Sequence, residues 1–256
     1  MRTYVITGGA SGIGAALVER VRAAGNRAIS VDINDADVVA DLSTPAGCAD
    51  MVAKVTELTG GVVDVVVANA GISSNSALTM AINYYGAIDT LEGLRPLLLK
   101  SQAPRAVITA SMASLQSQHP EFIDLILDGT REEGMAKAEE LSDPAQFVNY
   151  PASKAAIARW MRRVAPGPDW AGAGIPLNAI APGIVITPMT EPLFADPVQR
   201  EHMLKMVPMP LNGATTAEAC AAVIDFLAGV ENTHLCGQVL FVDGGYDAVT
   251  RKDATW

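Results

Sequence analysis

The run Thr7-Gly-Gly-Ala-Ser-Gly-Ile-Gly14 constrains this chain more than any other, because it sits between a β-branched stretch, Thr3–Thr7, and a helical pattern. Gly8, Gly12 and Gly14 then fall across a strand-to-helix turn. One glycine allows a tight turn, one lets backbone approach a pyrophosphate, and one lets helix meet strand closely. The free N–H groups and positive dipole end of the next helix would hold the phosphates. A glycine-rich turn with no ligand is the competing reading. Asp32 weighs against it: it closes the second strand, where a carboxylate accepts both ribose hydroxyls of an adenosine. A 2′-phosphate there would meet a negative charge, so NAD is expected rather than NADP. Arg27 begins that strand and should lie far from its end.

Short β-branched runs alternate with longer helical patterns along most of the chain, which predicts βαβ units and a parallel sheet. Strands are expected near Thr3–Thr7, Ala28–Val31, Val38–Ala40, Val63–Ala68, Ala106–Ala110, Leu177–Ala181 and Gln238–Val242. Helices are expected near Gly12–Ala24, Pro45–Leu58, Leu78–Leu98, Tyr150–Val164 and Thr216–Ala228. The expected fold is therefore a single α/β domain over residues 1–256, a Rossmann-type doubly wound sheet of about seven strands. Two stretches fall outside the alternation: a polar, acidic insertion at about 115–148 and a segment at about 186–212 read as a substrate lid. The lid segment carries Met189, Met203, Met206 and Met209. Thioethers adapt to irregular apolar surfaces, so these methionines fit a ring-like substrate, although ordinary lid packing explains them as well.

Composition narrows the partners. Half the residues are hydrophobic and only 5% aromatic, so the core must be mainly Ala, Val, Ile and Leu. A net charge of −10, with no basic run, makes nucleic acid and anionic membranes poor partners. Cys48, Cys220 and Cys236 are too scattered for a disulfide framework or a zinc site, which predicts a reducing cytoplasm and no metal. No secretory leader or membrane span is expected, because the apolar stretches are short and broken by glycines. His119, His202 and His234 show no ligand spacing and are expected on the surface or in loops.

The glycine pattern, Asp41-Leu42, Asn69-Ala-Gly71, Asn83, Ser111, Tyr150-x-x-x-Lys154, Pro182-Gly183 and Asp243-Gly-Gly245 occur in one order and resemble the short-chain dehydrogenase/reductase family. The resemblance runs from Thr3 to about Gly245. It implies hydride exchange between NAD(H) and a secondary alcohol or carbonyl, with Asn83, Ser111, Tyr150 and Lys154 as the catalytic set. By the same resemblance Asp41 and the Leu42 backbone hold the adenine, and Ser11 and Ile13 lie near the pyrophosphate. Asn69, Ala70 and Gly71 brace the sheet beside the cofactor, and Lys154 bonds the nicotinamide ribose. After Pro182 and Gly183, Val185 and Thr187 hold the carboxamide. Asn83 holds a water beside the lysine.

Residue chemistry gives the same roles to the central pair. Tyr150 and Lys154 are four apart at a helix start, within side-chain reach. A phenol with a pKa of about 10 is too weak a base at neutral pH. An ammonium about 4 Å away contributes roughly 4 kcal/mol at an effective dielectric of 20, enough to lower it by up to about three units before desolvation. Ser111 ends a strand on the carboxyl edge, where its hydroxyl can stabilise charge on a substrate oxygen; Ser114 is the competing serine.

Ser111 and Tyr150 stand 39 residues apart, against about a dozen in most short members of the family. With Asp32-Ile33, Val39-Ala-Asp-Leu-Ser-Thr44, Asn83-Tyr-Tyr-Gly86 and Asp243-Gly-Gly-Tyr-Asp-Ala-Val249, this insertion resembles the bacterial 3α-hydroxysteroid dehydrogenase/carbonyl reductase subgroup. That implies a small alcohol or ketone substrate, steroids included. It also implies a homodimer without the usual helix interface, a tetramer being the alternative. Other readings stay open: a dehydrogenase of another small alcohol or hydroxyacyl compound, an epimerase or dehydratase, or a non-catalytic NAD-binding regulator.

Overall fold

The computed structural model describes residues 1–117, 119–143, 146–188, 190–191 and 195–254. Met189, counted above with the lid methionines, lies outside them. Strands β1 (Thr3–Thr7), β2 (Arg27–Asp32), β3 (Val38–Val39), β4 (Val65–Ala68), β5 (Arg105–Thr109), β6 (Leu177–Pro182) and β9 (Val239–Val242) form one parallel sheet in the order β3-β2-β1-β4-β5-β6-β9. The winding reverses between β1 and β4, which opens a crevice at the carboxyl edge there. A second sheet pairs β7 (Val185–Ile186) with β8 (Thr215–Thr216).

The period-2 alternation of β1 sorts its side chains into two layers. Val5 faces α2 (Pro45–Thr59), α4 (Ala87–Leu98) and α7 (Asn149–Val164), packing with Met51, Leu91 and Ile157. Tyr4 and Ile6 face α1 (Gly12–Ala23) and α9 (Ala217–Ala228), packing with Leu17, Val21 and Ile224. Sequence expectation and structure agree on these elements within a residue or two. The expected helix over 78–98 differs. It begins as the short α3 (Ala77–Met80), winds as a π-helix over Ala81–Gly86, and only then continues as α4. A π turn accommodates an extra residue and recurs beside functional sites. Here it contains Asn83.

The insertion is folded. It holds α5 (Pro120–Asp128) and α6 (Arg131–Glu140), the latter opened by a complete capping box between Thr130 and Glu133. Phe122, Ile123 and Ile126 join the core on the α4–α7 face. Arg159 pairs with Asp124 and Arg163 with Asp128 across α7 and α5. Helix α6 buries only Gly134 and Ala138, so polar contacts at its two ends do much to hold it. Arg131 pairs with Asp89 at 2.6 Å and lies 4.7 Å from the Tyr85 ring centre. The lid segment contains α8 (Pro197–Met206), and the chain turns at Gly245 into α10 (Tyr246–Arg251). All three cysteines are free thiols, and among the described residues no helix is long and apolar enough to cross a membrane.

Gly134 seats α6 on Tyr85: a Cβ there would stand 2.1 Å from the Tyr85 hydroxyl oxygen but 3.4 Å from the ring carbon bearing it. That hydroxyl finds no hydrogen-bond partner among the described residues. Gly134→Ala is therefore expected to destabilise the protein by about 1–3 kcal/mol through overpacking. Adding Tyr85→Phe should restore most of the loss in urea unfolding. A double variant as unstable as the sum of the singles would place the clash elsewhere.

Candidate active site

The turn after β1 has the backbone its glycines require. Gly8 and Gly12 both take positive φ, +67° and +54°, and a Cβ on Gly14 would lie 1.9 Å from the Gly8 carbonyl oxygen. A Cβ on Gly12 would project toward Thr187, reaching its Cγ2 at 3.3 Å, so the bare glycine keeps a groove open between the turn and β7. This groove is the fit a dinucleotide pyrophosphate needs. At its outer end Asp32 accepts from Ala10 N at 3.0 Å and Ile33 N at 2.7 Å, and Asp41 accepts from Ser43 N at 2.9 Å. The Ser43 hydrogen bonds hold the Asp41 carboxyl below its ordinary range.

Behind the groove, Asn69 ties three strands together. Its Nδ2 donates to the Thr7 carbonyl at 3.0 Å, and its Oδ1 accepts from Thr109 Oγ1 at 2.9 Å. Thr7 Oγ1 accepts from the backbone N–H groups of Asn69 and Ala70, both at 3.0 Å. Gly71 follows, where a Cβ would meet Asn83 Oδ1 at 3.1 Å and Lys154 Nζ at 3.4 Å. Asn83, 2% exposed, spends its amide on Ile72, accepting from the N–H and donating to the carbonyl, each at 2.9 Å. Its side chain therefore holds the loop after β4, and it does not line the cleft.

Ser111 and α7 complete the wall. The Ser111 hydroxyl caps the 3₁₀ turn Met112–Leu115, accepting from Ala113 N at 3.1 Å, and shares the cleft wall with the Tyr150 phenol. The start of α7 is held from outside: Asn75 Oδ1 accepts from Val148 N and Asn149 N, at 3.0 and 2.9 Å. Asn75 was not legible as a site residue, since it reaches Asn149 across 74 residues of sequence. One turn on, Lys154 is 4% exposed, with Nζ donating to the Thr109 carbonyl at 2.9 Å and lying 5.8 Å from the Tyr150 ring centre.

These groups line a single cleft of about 740 Å³. Every expected cofactor residue except Gly14 borders it, together with Ser111, Tyr150 and Lys154. Gly14 is buried beneath the turn. The cleft adds residues the sequence did not single out: Gln116, Phe147 and Thr190. His202 is exposed, as expected, and sits on α8 where it also lines the cleft. The lid methionines divide: Met203 and Met206 line the cleft, whereas Met209 is buried and its sulfur accepts from Ile184 N at 3.3 Å. Among the described residues no cluster of His, Cys, Asp and Glu could hold a metal ion.

The expected downward shift of the phenol is reversed. Burial raises Tyr150 above its ordinary value, opposed only by the Ser111 hydrogen bond. The neighbouring cation is itself desolvated, and burial lowers Lys154 to about 8. The sequence estimate omitted this desolvation, which acts on both partners. Because Lys154 loses its proton earlier when folded than when unfolded, the stability cost of its charge is present below pH 8. That cost fades as pH rises from 8 toward the unfolded 10.5. Cys48 and Cys220, pushed up to about 12 by burial, work the other way above pH 9. The isolating measurement compares wild type with Lys154→Met in urea. The stability of the variant relative to wild type should fall by about 2 kcal/mol from pH 7 to pH 10. A difference that stays constant with pH would refute the desolvation origin.

Comparison with known proteins agrees with this arrangement. Residues 2–121 match the short chain dehydrogenase family model, and residues 136–247 match the model described as enoyl-(acyl carrier protein) reductase. The 3-alpha-hydroxysteroid dehydrogenase/carbonyl reductase of Comamonas testosteroni is 33% identical over 98% of both chains. The 3-alpha-hydroxysteroid dehydrogenase from Pseudomonas sp. B-0831, solved with NADH, is 40% identical, with a TM-score of 0.87 over 98% of this chain and 99% of that one. Pseudomonas aeruginosa RhlG, solved with NADP, is 25% identical, with a TM-score of 0.77 over 96% of each chain. The chain belongs to the short-chain dehydrogenase/reductase family, oxidoreductases that act on CH–OH groups with a nicotinamide cofactor.

Proposed function

We propose that the protein is an NAD(H)-dependent dehydrogenase/reductase of secondary alcohols and ketones on an apolar ring skeleton, 3α-hydroxysteroids foremost. The observation that carries this reading is the placement of Ser111 and Tyr150 on one wall of the cleft that the glycine turn borders, with Lys154 buried beside the Tyr150 ring. A substrate oxygen entering between the two hydroxyls meets Ser111 Oγ as a hydrogen-bond partner and Tyr150 Oη as the proton carrier. When bound, the oxidised dinucleotide supplies the hydride acceptor and a positive ring charge. With that charge nearby, Tyr150 gives up its proton at a lower pH than burial alone sets. Lys154, anchored on Thr109, holds a donor beside the phenol and toward the nicotinamide ribose. Asn83 acts by positioning: its amide fixes Ile72 and so the loop that carries Gly71 past Lys154.

Gly8, Ser11, Gly12, Ile13 and Thr187 would hold the pyrophosphate and carboxamide side of NAD, and Asp32, Asp41 and Leu42 the adenosine. Asp32 supports NAD over NADP, because its carboxylate lies in the cleft at the end of β2. Arg27 offers a 2′-phosphate nothing, since it starts the same strand and donates to the Leu58 carbonyl.

The substrate end supports an apolar skeleton. Phe147 is 53% exposed, lines the cleft, and lies 5.5 Å from the Tyr150 ring, while Met203 and Met206 face it from α8. The names of the Comamonas and Pseudomonas relatives point to 3α-hydroxysteroids. Because α5 and α6 cover the α4–α7 face, the assembly we propose is a homodimer through another surface. Its free thiols suit the cytoplasm.

Two measurements test the reading. NAD-linked oxidation should be found with 3α-hydroxysteroids, and Tyr150→Phe should lower kcat by about 10²- to 10⁴-fold while leaving NAD binding nearly unchanged. A variant with most of its rate intact would remove Tyr150 as the proton carrier. Asp32→Asn keeps an oxygen for only one of Ala10 N and Ile33 N and loses the charge, so it should raise the NADP-to-NAD ratio of kcat/KM by about 100-fold. An unmoved ratio would mean that Asp32 does not select the cofactor.

A further inference from the structure

Gln116 ends the 3₁₀ turn that Ser111 begins, and its side chain lines the same cleft. Its amide is not free to swing, because Nε2 donates to the Tyr246 hydroxyl at 3.0 Å across 130 residues of sequence. Tyr246 is itself fixed. Its ring is buried with Met112, Ile184 and Met209. Its helix start is held by the buried Asp243, whose two oxygens accept from Gly245 N at 3.0 Å and Asp247 N at 2.7 Å.

This support leaves the Gln116 carbonyl oxygen and its second amide hydrogen for a ligand. The cluster that seats Tyr246 brings Met112, Ile184, Met203 and Val207 to the same cleft wall. A pre-positioned polar group in an apolar wall costs little side-chain entropy on binding, and it is left unpaired by a substrate without a matching oxygen. Ser111 and Gln116 flank this short turn, five residues apart, so a rise of about 2 Å per residue separates their Cα atoms by roughly 10 Å along it.

Resting on the alcohol reading above, we propose that Gln116 is a specificity-determining residue that reads a second oxygen on the substrate, remote from the reacting one. Tyr246 is its positioning residue. The preferred substrate class is then an apolar ring system oxygenated at both ends, and the C-terminal segment takes part in selecting it.

The test uses pairs of cyclic secondary alcohols, each with and without a second hydroxyl or keto oxygen at the far end, on two-ring and four-ring skeletons. For four rings, the wild type should favour the doubly oxygenated member by at least about tenfold in kcat/KM, mostly through KM. Gln116→Met, close in volume, should bring that ratio near one. Tyr246→Phe, which keeps the ring in its cluster, should cut the ratio to about a third. The proposal is overturned if wild type shows no preference, or if Gln116→Met lowers both members equally. It loses Tyr246 if Tyr246→Phe keeps the full ratio. A wild type that oxidises no alcohol in the panel overturns the alcohol reading, and the Gln116 assignment falls with it.

Discussion

Lys154 Nζ donates to the carbonyl of Thr109, Thr109 Oγ1 donates to Asn69 Oδ1, and Asn69 Nδ2 donates to the carbonyl of Thr7. This relay crosses the carboxyl edge where the winding of the sheet reverses, and it joins β5, β4 and β1 to α7. At such an edge the last strand carbonyls and N–H groups have outrun their neighbours and need other partners. Side chains supply them here: Asn69 and Lys154 serve the carbonyls, and Thr7 Oγ1 serves the two N–H groups after β4. The relay thus satisfies the backbone and places a cation behind the phenol at once. Its cost falls on Lys154, which is buried against a neutral carbonyl instead of a carboxylate and is lowered to about 8 for that reason.

The insertion is tied into the same machinery from the other side of α7. Asn75, in the loop after β4, accepts from the first N–H groups of that helix and donates to the Leu141 carbonyl just after α6. Asn149 Nδ2 donates back to the Ala138 carbonyl within α6. Helix α6, the loop after β4 and the start of α7 therefore share one hydrogen-bonded junction, with Tyr150 the next residue along. The insertion does more than cover a face of the core: it helps set the height at which the phenol enters the cleft, and it ends in Phe147 at the rim.

Most of the sheet was readable because its signals are local. β-Branched runs between turn residues marked the strands, and Gly8, Gly12 and Gly14 marked the turn by conformations other residues avoid. That Ser111, Tyr150 and Lys154 meet at one cleft was readable because Ser111 follows a strand and Tyr150 and Lys154 share a helical turn. What was not readable depends on distant partners. Helix α6 buries one glycine and one alanine, so it carries almost no apolar stripe for a period to reveal. The π turn over 81–86 leaves no local composition cue, and His202 reaches the cleft only through the placement of α8. The sign of the Tyr150 shift was misjudged for a related reason: attraction between two charges can be estimated from spacing, but desolvation depends on what the rest of the chain packs around them.

The cleft also depends on the last part of the chain. Met209 packs where a Cβ on Gly183 would meet its Cε at 2.7 Å, and its sulfur accepts from Ile184 N, so the segment between β6 and β7 is shaped from below by a residue of the lid. Asp243 follows β9, caps the turn into α10, and through Tyr246 reaches Gln116 on the serine loop. The glycine turn can form from neighbouring sequence, but the opposite wall needs β6, the lid and the C-terminal helix together, contacts of long sequence separation whose loop-closure entropy must be offset by burial. The glycine turn is therefore built from neighbouring sequence, and the opposite wall of the cleft from contacts of long sequence separation. Substitutions far along the chain can then reshape that wall without touching the glycine turn.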